Sequence, residues 1–336
     1  MPKKTLVSVI IPVKELTYYL LHENLPKLTK QSYKKYEIIV LPNEHAQYDL
    51  TLLNQYKNLR IIPTGKITRP AEKRDIGVKQ ARGEIIAFLD DDAYPDRYWL
   101  ENAVEIFKKD KVEAVCGPGI LPQETNIWEK IFDEVLKTWI GAGEYSYRFS
   151  KQPKRFVTDY PSMNFLIVKK VFLKLGGFNS DYWPGEDSKL CNDLIEKEKG
   201  SILYSPEVVV YHHRRNNLKG YLKQHASYGF HRGAFFAHGD KNSRKIEYLV
   251  PTVFVSYLIA LVFYVIIVRR IDIFFLPFLI YGLFEGYLLI KSLFSSKNII
   301  ISIGSVLILF LTHIVYGLMF IKGLRKGFNK KISIYD

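Results

Sequence analysis

Between Gly83 and Asp96 the chain reads GEIIAFLDDDAYPD, an apolar run that ends abruptly in three carboxylates. Ile85 to Leu89 lack helical spacing, and a short unbroken apolar run of this kind reads as a strand buried on both faces of a parallel sheet. Asp90, Asp91 and Asp92 follow at its C-terminal end, and Pro95 is expected to stop the strand. Carboxylates so close together repel one another. A solvated acidic turn would tolerate that repulsion. The other solution is a divalent cation shared with phosphate oxygens, because Mg²⁺ and Mn²⁺ favour oxygen ligands and are held by one or two carboxylates plus a substrate phosphate.

The segments around this strand repeat its logic. Leu6–Ile11 reads as the first parallel strand, with Pro12-Val13-Lys14-Glu15 as the loop at its end. Thr17–Ser32 has helical spacing, Glu37–Leu41 is a second buried strand running into Pro42-Asn43-Glu44, and Leu59–Pro63 is a third. Ala71–Ala81 is expected to be a helix crossing back toward the aspartate strand, and Pro95–Lys109 another helix. Alternating strands and helices imply an α/β sheet built by right-handed crossovers. Ligands of such sheets lie beyond the carboxyl ends of the strands. Glu15, Asn43 and the aspartate cluster therefore converge on one crevice.

The last quarter is different in kind. Leu249–Val268, Ile273–Ile290 and Ile299–Ile321 are long apolar stretches joined by short basic loops, interrupted only by Glu285 and His313. About 20 such residues span the hydrocarbon core of a bilayer. The tail carries Lys322, Arg325, Lys326, Lys330 and Lys331, which the positive-inside rule assigns to the cytoplasm. A cytoplasmic N-terminal part and a cytoplasmic tail need an even number of crossings. Either the second stretch, with Pro277, Gly282, Glu285 and Gly286, is re-entrant or interfacial, or the tail lies outside. The chain has 336 residues, a net charge of +14 and two cysteines, Cys116 and Cys191. That cysteine count makes no disulfide framework and fits a reducing compartment. The basic start MPKK precedes an apolar run of strand length, so Met1 is expected to begin the mature protein.

Taken in order, SVIIPVKE, EIIVLPNE, KRDIGVKQARGEIIAFLDDDAYPDRYWL, PSMNFLIVKKVFLKLGGFNSDYWPGEDSKLCNDL and SPEVVVYHH resemble the GT-A glycosyltransferases of family 2 over roughly residues 5–240. The resemblance implies a Rossmann-like, mainly parallel α/β domain, a nucleotide-sugar donor, a divalent metal (Mn²⁺ or Mg²⁺) and inversion at the anomeric carbon. Asp90 would approach the nucleoside and Asp92 hold the metal, with Asp91 beside them. Pro12 and Glu15 would line the nucleotide pocket, and Lys73, Arg74 and Asp75 would lie near the diphosphate and sugar. Many members carry an Asp after the second strand to read the base; here Asn43 or Glu44 stands in its place. Asp75 stands where Asn is more usual.

The same resemblance, with chemistry, assigns Pro184-Gly185-Glu186-Asp187 ahead of an amphipathic helix, Ser188–Lys197. An acceptor hydroxyl must lose its proton as it attacks, which a placed carboxylate can accept; carboxylates at a helix start are also ordinary caps. Asp187 is expected to be the base and Glu186 an acceptor-side or orienting group. In Tyr211-His212-His213-Arg214-Arg215 a neutral imidazole can complete a metal's coordination. His212 is the first choice, joining Asp90 and Asp92, and His213 the second; the alternative is a basic surface patch. Gln224, Tyr228, Gly229, Arg232 and Gly233 echo a motif that closes over the donor diphosphate in membrane-attached members, with Gln224 and Arg232 as donor contacts. The Gln-x-x-Arg-Trp form of processive synthases is absent. Trp128–Tyr147 is expected to form a helix and a glycine-containing loop on the acceptor side.

The expected organisation is a cytoplasmic GT-A domain over residues 1–215, an amphipathic interfacial segment over 216–247, a transmembrane region of about three apolar helices over 248–322 and a basic tail over 323–336. The expected partners are a nucleotide-sugar donor, a lipid-linked or glycan acceptor and the lipid bilayer, with no nucleic acid. The protein is expected in the cell membrane, multi-pass, with its catalytic domain cytoplasmic. Two other functions stay open: a transferase acting directly on polyprenyl phosphate, and a non-catalytic membrane scaffold that keeps the fold.

Overall fold

The computed structural model describes residues 5–43, 53–178, 185–239 and 241–329. Glu44, Pro184 and the end of the basic tail lie outside them. In chain order the elements begin with β1 (Val7–Pro12), a wide π-type turn (Leu20–Asn24), α1 (Leu25–Thr29), β2 (Tyr36–Leu41), β3 (Leu59–Ile61) and α2 (Pro70–Gln80). There follow β4 (Ile85–Leu89), β5 (Ala93–Pro95), α3 (Trp99–Lys109), β6 (Ala114–Cys116), β7 (Gly119–Ile120), α4 (Ile127–Leu136) and α5 (Trp139–Ala142). Then come β8 (Arg155–Val157), β9 (Asn164–Val168), α6 (Lys169–Lys174), α7 (Glu186–Glu196), β10 (Ile202–Tyr204) and β11 (Val210–His212). The C-terminal part holds α8 (Leu218–Ala237), α9 (Ile246–Val268), α10 (Leu276–Ser296) and α11 (Ile299–Asn329).

The chain forms two compact units, one of Met1–Pro122 with Ser150–His212, the other of Gln123–Phe149 with His213–Asp336. The first unit is built on an eight-stranded sheet of order β3-β2-β1-β4-β9-β6-β10-β8. The pairs β1–β2, β2–β3, β1–β4 and β6–β10 are parallel, whereas β9 runs antiparallel to β4 and β6, and β8 to β10. The apolar runs read from the sequence are the central strands, and β1, β2 and β4 are buried throughout. Their register sets Pro12 opposite Leu41 and Ile10 opposite Phe88, so the loops after β1, β2 and β4 leave the sheet along one edge.

Two local expectations change. Pro95 does not open a helix: it ends β5, an edge strand of a second sheet of order β5-β11-β7. An edge strand tolerates a residue that cannot donate to the ladder. The helix starts only at Trp99, because the Asp96 carboxylate and carbonyl accept from Tyr98 and Trp99 and build the turn between strand and helix. The helix expected over Thr17–Ser32 forms over residues 18–29, but its middle widens into a π-type turn ahead of α1. Pro26 has no N–H to return to the preceding turn, and a wider turn accommodates that loss.

The second unit is helical. Residues 123–149, expected within the N-terminal domain, group with it because Ile131, Phe132 and Val135 of α4 share a core with Tyr221, Leu288, Ile301, Ile308 and Leu309. The Tyr221 ring stacks on Phe132 with centroids 3.9 Å apart. Three helices, Ile246–Val268, Ile273–Ser296 and Ile299–Phe328, are long and apolar enough to cross a membrane. The first two turn most of their large apolar side chains outward, among them Val253, Phe263, Ile267, Leu283 and Phe294. The middle one is continuous from Leu276, with Pro277 in its first turn, where a missing N–H leaves no bond unmade. The third, α11, is the most enclosed.

The segment expected to lie along the bilayer surface contains α8, and α8 packs lengthwise on α11. Added Cβ atoms at Gly229 and Gly233 would lie 2.4 and 2.1 Å from the carbonyl oxygens of Tyr316 and Phe320. One at Gly323 would lie 1.9 Å from that of Phe230. Small residues four apart on both helices therefore let the backbones touch, the usual means of joining helices where lipid supplies no hydrophobic drive. Gly233→Ala is expected to cost about 1–3 kcal/mol by overpacking and to lower Tm in detergent. Gly282→Ala meets nothing within 4 Å and should leave Tm unchanged or raise it through helix propensity.

Candidate active site

The three aspartates occupy the turn between β4 and β5. This turn is held from below by Asn24, which the wide turn before α1 points inward: its amide donates to the Asp90 carbonyl at 3.1 Å and to the Ala93 carbonyl. His212 arrives because β11 pairs antiparallel with β5, setting His212 opposite Ala93. Its Nε2 lies 3.2 Å from Asp92 Oδ1. Ligand atoms of Asp90, Asp92 and His212 all lie within 4.8 Å of one another. Two carboxylates and an imidazole within that span suit a small divalent cation with room for phosphate oxygens.

The remaining charge is distributed over neighbouring elements. The buried Arg74 guanidinium, from α2, donates to Asp90 Oδ1 at 2.7 Å and lies over the Phe178 ring, 5.6 Å from its centroid. Asp91 accepts from the Thr17 hydroxyl at 2.9 Å. Burial, then repulsion from Asp92, pushes the Asp91 carboxyl up to about 6.

A second group of carboxylates faces Arg74. The Gly176-Gly177-Phe178 turn needs positive φ at both glycines, and a Cβ on Gly177 would sit 2.6 Å from Asp75 Oδ1. That carboxylate accepts from the Phe178 N–H at 3.0 Å and is pushed up to about 6, chiefly by burial. Glu186 opens α7 and bends back to accept from the Gly185 N–H at 2.9 Å. Asp187 accepts from the Ser162 backbone, and its Oδ1 is buried with no hydrogen-bond partner among the described residues. Burial first, and then Glu186, raise its pKa to about 7, while Arg74 pulls the other way. Ser188, next in the helix, is tied to Asp159 at 2.9 Å.

Most of the residues singled out from the sequence thus meet in the first unit, though not always as expected. Pro12 is buried at the end of β1 and Glu15 is exposed in the loop after it. Lys73 is 1% exposed, and its ammonium donates to the Val13 and Leu41 carbonyls and to the Asn43 side chain. It ties the loops after β1 and β2 together, because α2 lies directly over those strand ends. Burial lowers its pKa to about 8 against the pull of Asp91.

The His-His-Arg-Arg run is not a surface patch. His213 is buried with Nδ1 2.8 Å from Glu129, and Arg214 reaches Asp133 Oδ1 through Nη2 at 2.8 Å and Nε at 3.1 Å. These pairs belong to the second unit. Gln224 and Arg232 also belong there. Gln224 donates to the Tyr228 hydroxyl at 3.0 Å; Arg232 lies over Tyr248, 4.3 Å from its centroid, and donates to Ser243.

Three positions escape a reading of the sequence. Asn24 and Thr17 hold the aspartate turn from far along the chain. Asn164 pairs with Leu89 across β4–β9; its amide donates to the Gly117 and Val208 carbonyls, each at 2.7 Å, and its Oδ1 accepts from Trp99 at 2.8 Å. The one usable signal for Asn164 was a polar residue opening an otherwise apolar strand.

The comparisons with known proteins bear on this site. A family model described as glycosyl transferase family 2 matches residues 8–175. The chain is similar to the dolichyl N-acetyl-alpha-D-glucosaminyl phosphate 3-beta-D-2,3-diacetamido-2,3-dideoxy-beta-D-glucuronosyltransferase of Methanococcus voltae, 25% identical over 331 residues, which are 96% of this chain and 98% of that protein. Glycosyltransferase AglE of Haloferax volcanii is 35% identical over 121 residues, 33% of this chain and 38% of that one. The mannosyltransferase PcManGT from Pyrobaculum calidifontis, solved with GDP-Man and Mn²⁺, shares the fold with a TM-score of 0.61 at 18% identity, over 94% of this chain and 88% of that one. With a matching family model over half its length and a GT-A fold around the aspartate turn, the chain belongs to glycosyl transferase family 2 and is a nucleotide-sugar-dependent glycosyltransferase.

Proposed function

We propose that the protein transfers a sugar, with inversion, from a nucleotide-sugar donor to a lipid-linked acceptor at the membrane, and that Asp187 is the general base. The observation that carries the reading is the meeting of Asp90, Asp92 and His212 within 4.8 Å, with Asp187 facing the same Arg74 that holds Asp90. Asp90, Asp92 and His212 would hold Mn²⁺ or Mg²⁺, which when bound neutralises the leaving diphosphate as a Lewis acid. Pro12, Glu15, Asn43 and Asp91, at the carboxyl ends of the parallel strands, would border the nucleotide. Lys73 keeps the loops that carry them in register.

In the reaction an acceptor oxygen forms a bond to the anomeric carbon and the bond from that carbon to the diphosphate oxygen breaks, its electron pair leaving with the nucleoside diphosphate. The acceptor proton passes to the Asp187 carboxylate. A raised pKa makes Asp187 a competent proton acceptor near neutrality, and Arg74 favours its ionised form. A single base opposite the leaving group inverts the centre. The lipid-linked acceptor is supported by the Methanococcus voltae relative, named for a dolichyl-phosphate-borne sugar acceptor and similar over 98% of its length, and by the three apolar helices. The catalytic unit is proposed to face the cytoplasm, where nucleotide sugars are made.

Thermal unfolding in detergent tests the donor site, since a ligand bound only to the folded state adds about 2.7 kcal/mol at a hundred times its Kd. One nucleoside diphosphate should raise Tm only with Mn²⁺, and Asp92→Asn should abolish the shift; a shift indifferent to Mn²⁺ would refute the metal reading. Asp187→Asn should keep the shift and lower kcat by about 10²–10⁴. Because the base must be deprotonated, kcat/KM should rise with pH until about 7 and level off above it, and a profile flat from pH 5 to 8 would remove Asp187 from that role. Asn24→Ala, which removes the side-chain donor to the Asp90 and Ala93 carbonyls, should cost about 1–3 kcal/mol.

A further inference from the structure

In the second unit, cations and tyrosines gather where α9 begins. Lys245 is the residue immediately before α9, so the cluster lies at one end of a helix long enough to cross a membrane. Arg148 lies over the Tyr145 ring at 4.1 Å, and Lys245 lies over the same ring at 5.3 Å while donating to its hydroxyl at 3.0 Å. Arg232 lies over Tyr248 at 4.3 Å, and the two tyrosine rings stack with centroids 6.1 Å apart. Glu144 bonds Lys245 at 2.8 Å and Glu247 packs against Gly143; Arg148, Arg232, Lys245 and the adjoining Arg244 are cations set beside these two carboxylates.

A guanidinium lying on a ring face is dry on one side, and its planar fork of N–H groups matches the oxygens of a phosphate. The second observation comes from the apolar side. Tyr316, on α11, lies within electrostatic reach of Arg232 and Tyr248. Its hydroxyl is buried with no hydrogen-bond partner among the described residues, and so is the Thr252 hydroxyl, one helical turn beyond Tyr248 on α9. Buried hydroxyls are rarely left unbonded. Two of them beneath a cationic rim describe a place for a polar group entering from the membrane side.

We propose that Arg148, Arg232 and Lys245, with Tyr145, Tyr248 and Tyr316, bind the phosphate of the lipid that carries the acceptor. This rests on the lipid-linked reading of the acceptor and adds where the lipid phosphate is held. It also gives Arg232 a role other than the donor contact expected from the sequence.

The test uses the full chain in non-ionic detergent with farnesyl phosphate as the probe. Farnesyl phosphate should raise Tm, while farnesol and inorganic phosphate at the same concentration should not. In the double variant Arg148→Gln with Lys245→Gln, the half-maximal farnesyl phosphate concentration should rise about tenfold or more, as expected for losing charged partners. The nucleotide shift with Mn²⁺ should persist in that variant, which shows it folded. An equal shift from inorganic phosphate would mean a free-anion site, and one from farnesol a purely apolar contact. Either result overturns the proposal, as does an unaltered farnesyl phosphate response or a lost donor response in the double variant. A wild-type protein that responds to farnesyl phosphate but to no nucleotide would sustain this site and sink the donor reading instead.

Discussion

Mutual repulsion among the carboxylates after β4 is the constraint on which the catalytic unit depends. A strand buried on both faces delivers three acids to one turn, and each is met by a group from a different part of the chain. Arg74 comes from the crossover helix, Thr17 from the loop after β1 and His212 from a strand of another sheet. Asn24 and Asn164 add no charge. Asn24 satisfies carbonyls of the aspartate turn and so holds it in place, and Asn164 satisfies the Gly117 and Val208 carbonyls. The sheet order brings these groups together, since β1, β2 and β4 end along one edge and their loops lie side by side.

The run from His212 to Arg214 is divided between consecutive residues. His212 closes the aspartate cluster, whereas His213 and Arg214 enter buried pairs with Glu129 and Asp133. Removing one partner of a buried pair strands a charge, which is far more costly than losing an exposed one. Within the second unit, the start of the chain after His212 is therefore tied to α4, which lies far back in the sequence.

The helical unit obeys a different solvent. Its outward faces are apolar, and where α8 meets α11 glycines stand in place of large side chains. The close approach at Gly229, Gly233 and Gly323 makes α8 part of the bundle although its own composition is mixed and basic. Arg232, on that helix, is thereby presented to Tyr248 at the start of α9.

Unbroken apolar runs identified β1, β2 and β4, because burial on both faces removes the ambiguity of a one-sided pattern, and length alone identified the three apolar helices. The carboxylates of the site were also visible, since their chemistry is local to a short motif. What remained hidden was set by pairing across the chain. The bonds of Lys73 to the loops after β1 and β2 show only once α2 is laid over those strand ends, and Pro95 reads as a helix start until β11 pairs beside it. Asn24, Thr17 and Asn164 are ordinary polar residues in one dimension, and only the fold brings them to carbonyls and carboxylates far away along the chain. The sequence by itself determined which segments must be buried and where the acids lie, because hydrophobicity and charge belong to each residue. The tertiary structure alone decided which group answers each charge, because a hydrogen bond requires a distance and an angle that no one-dimensional spacing specifies.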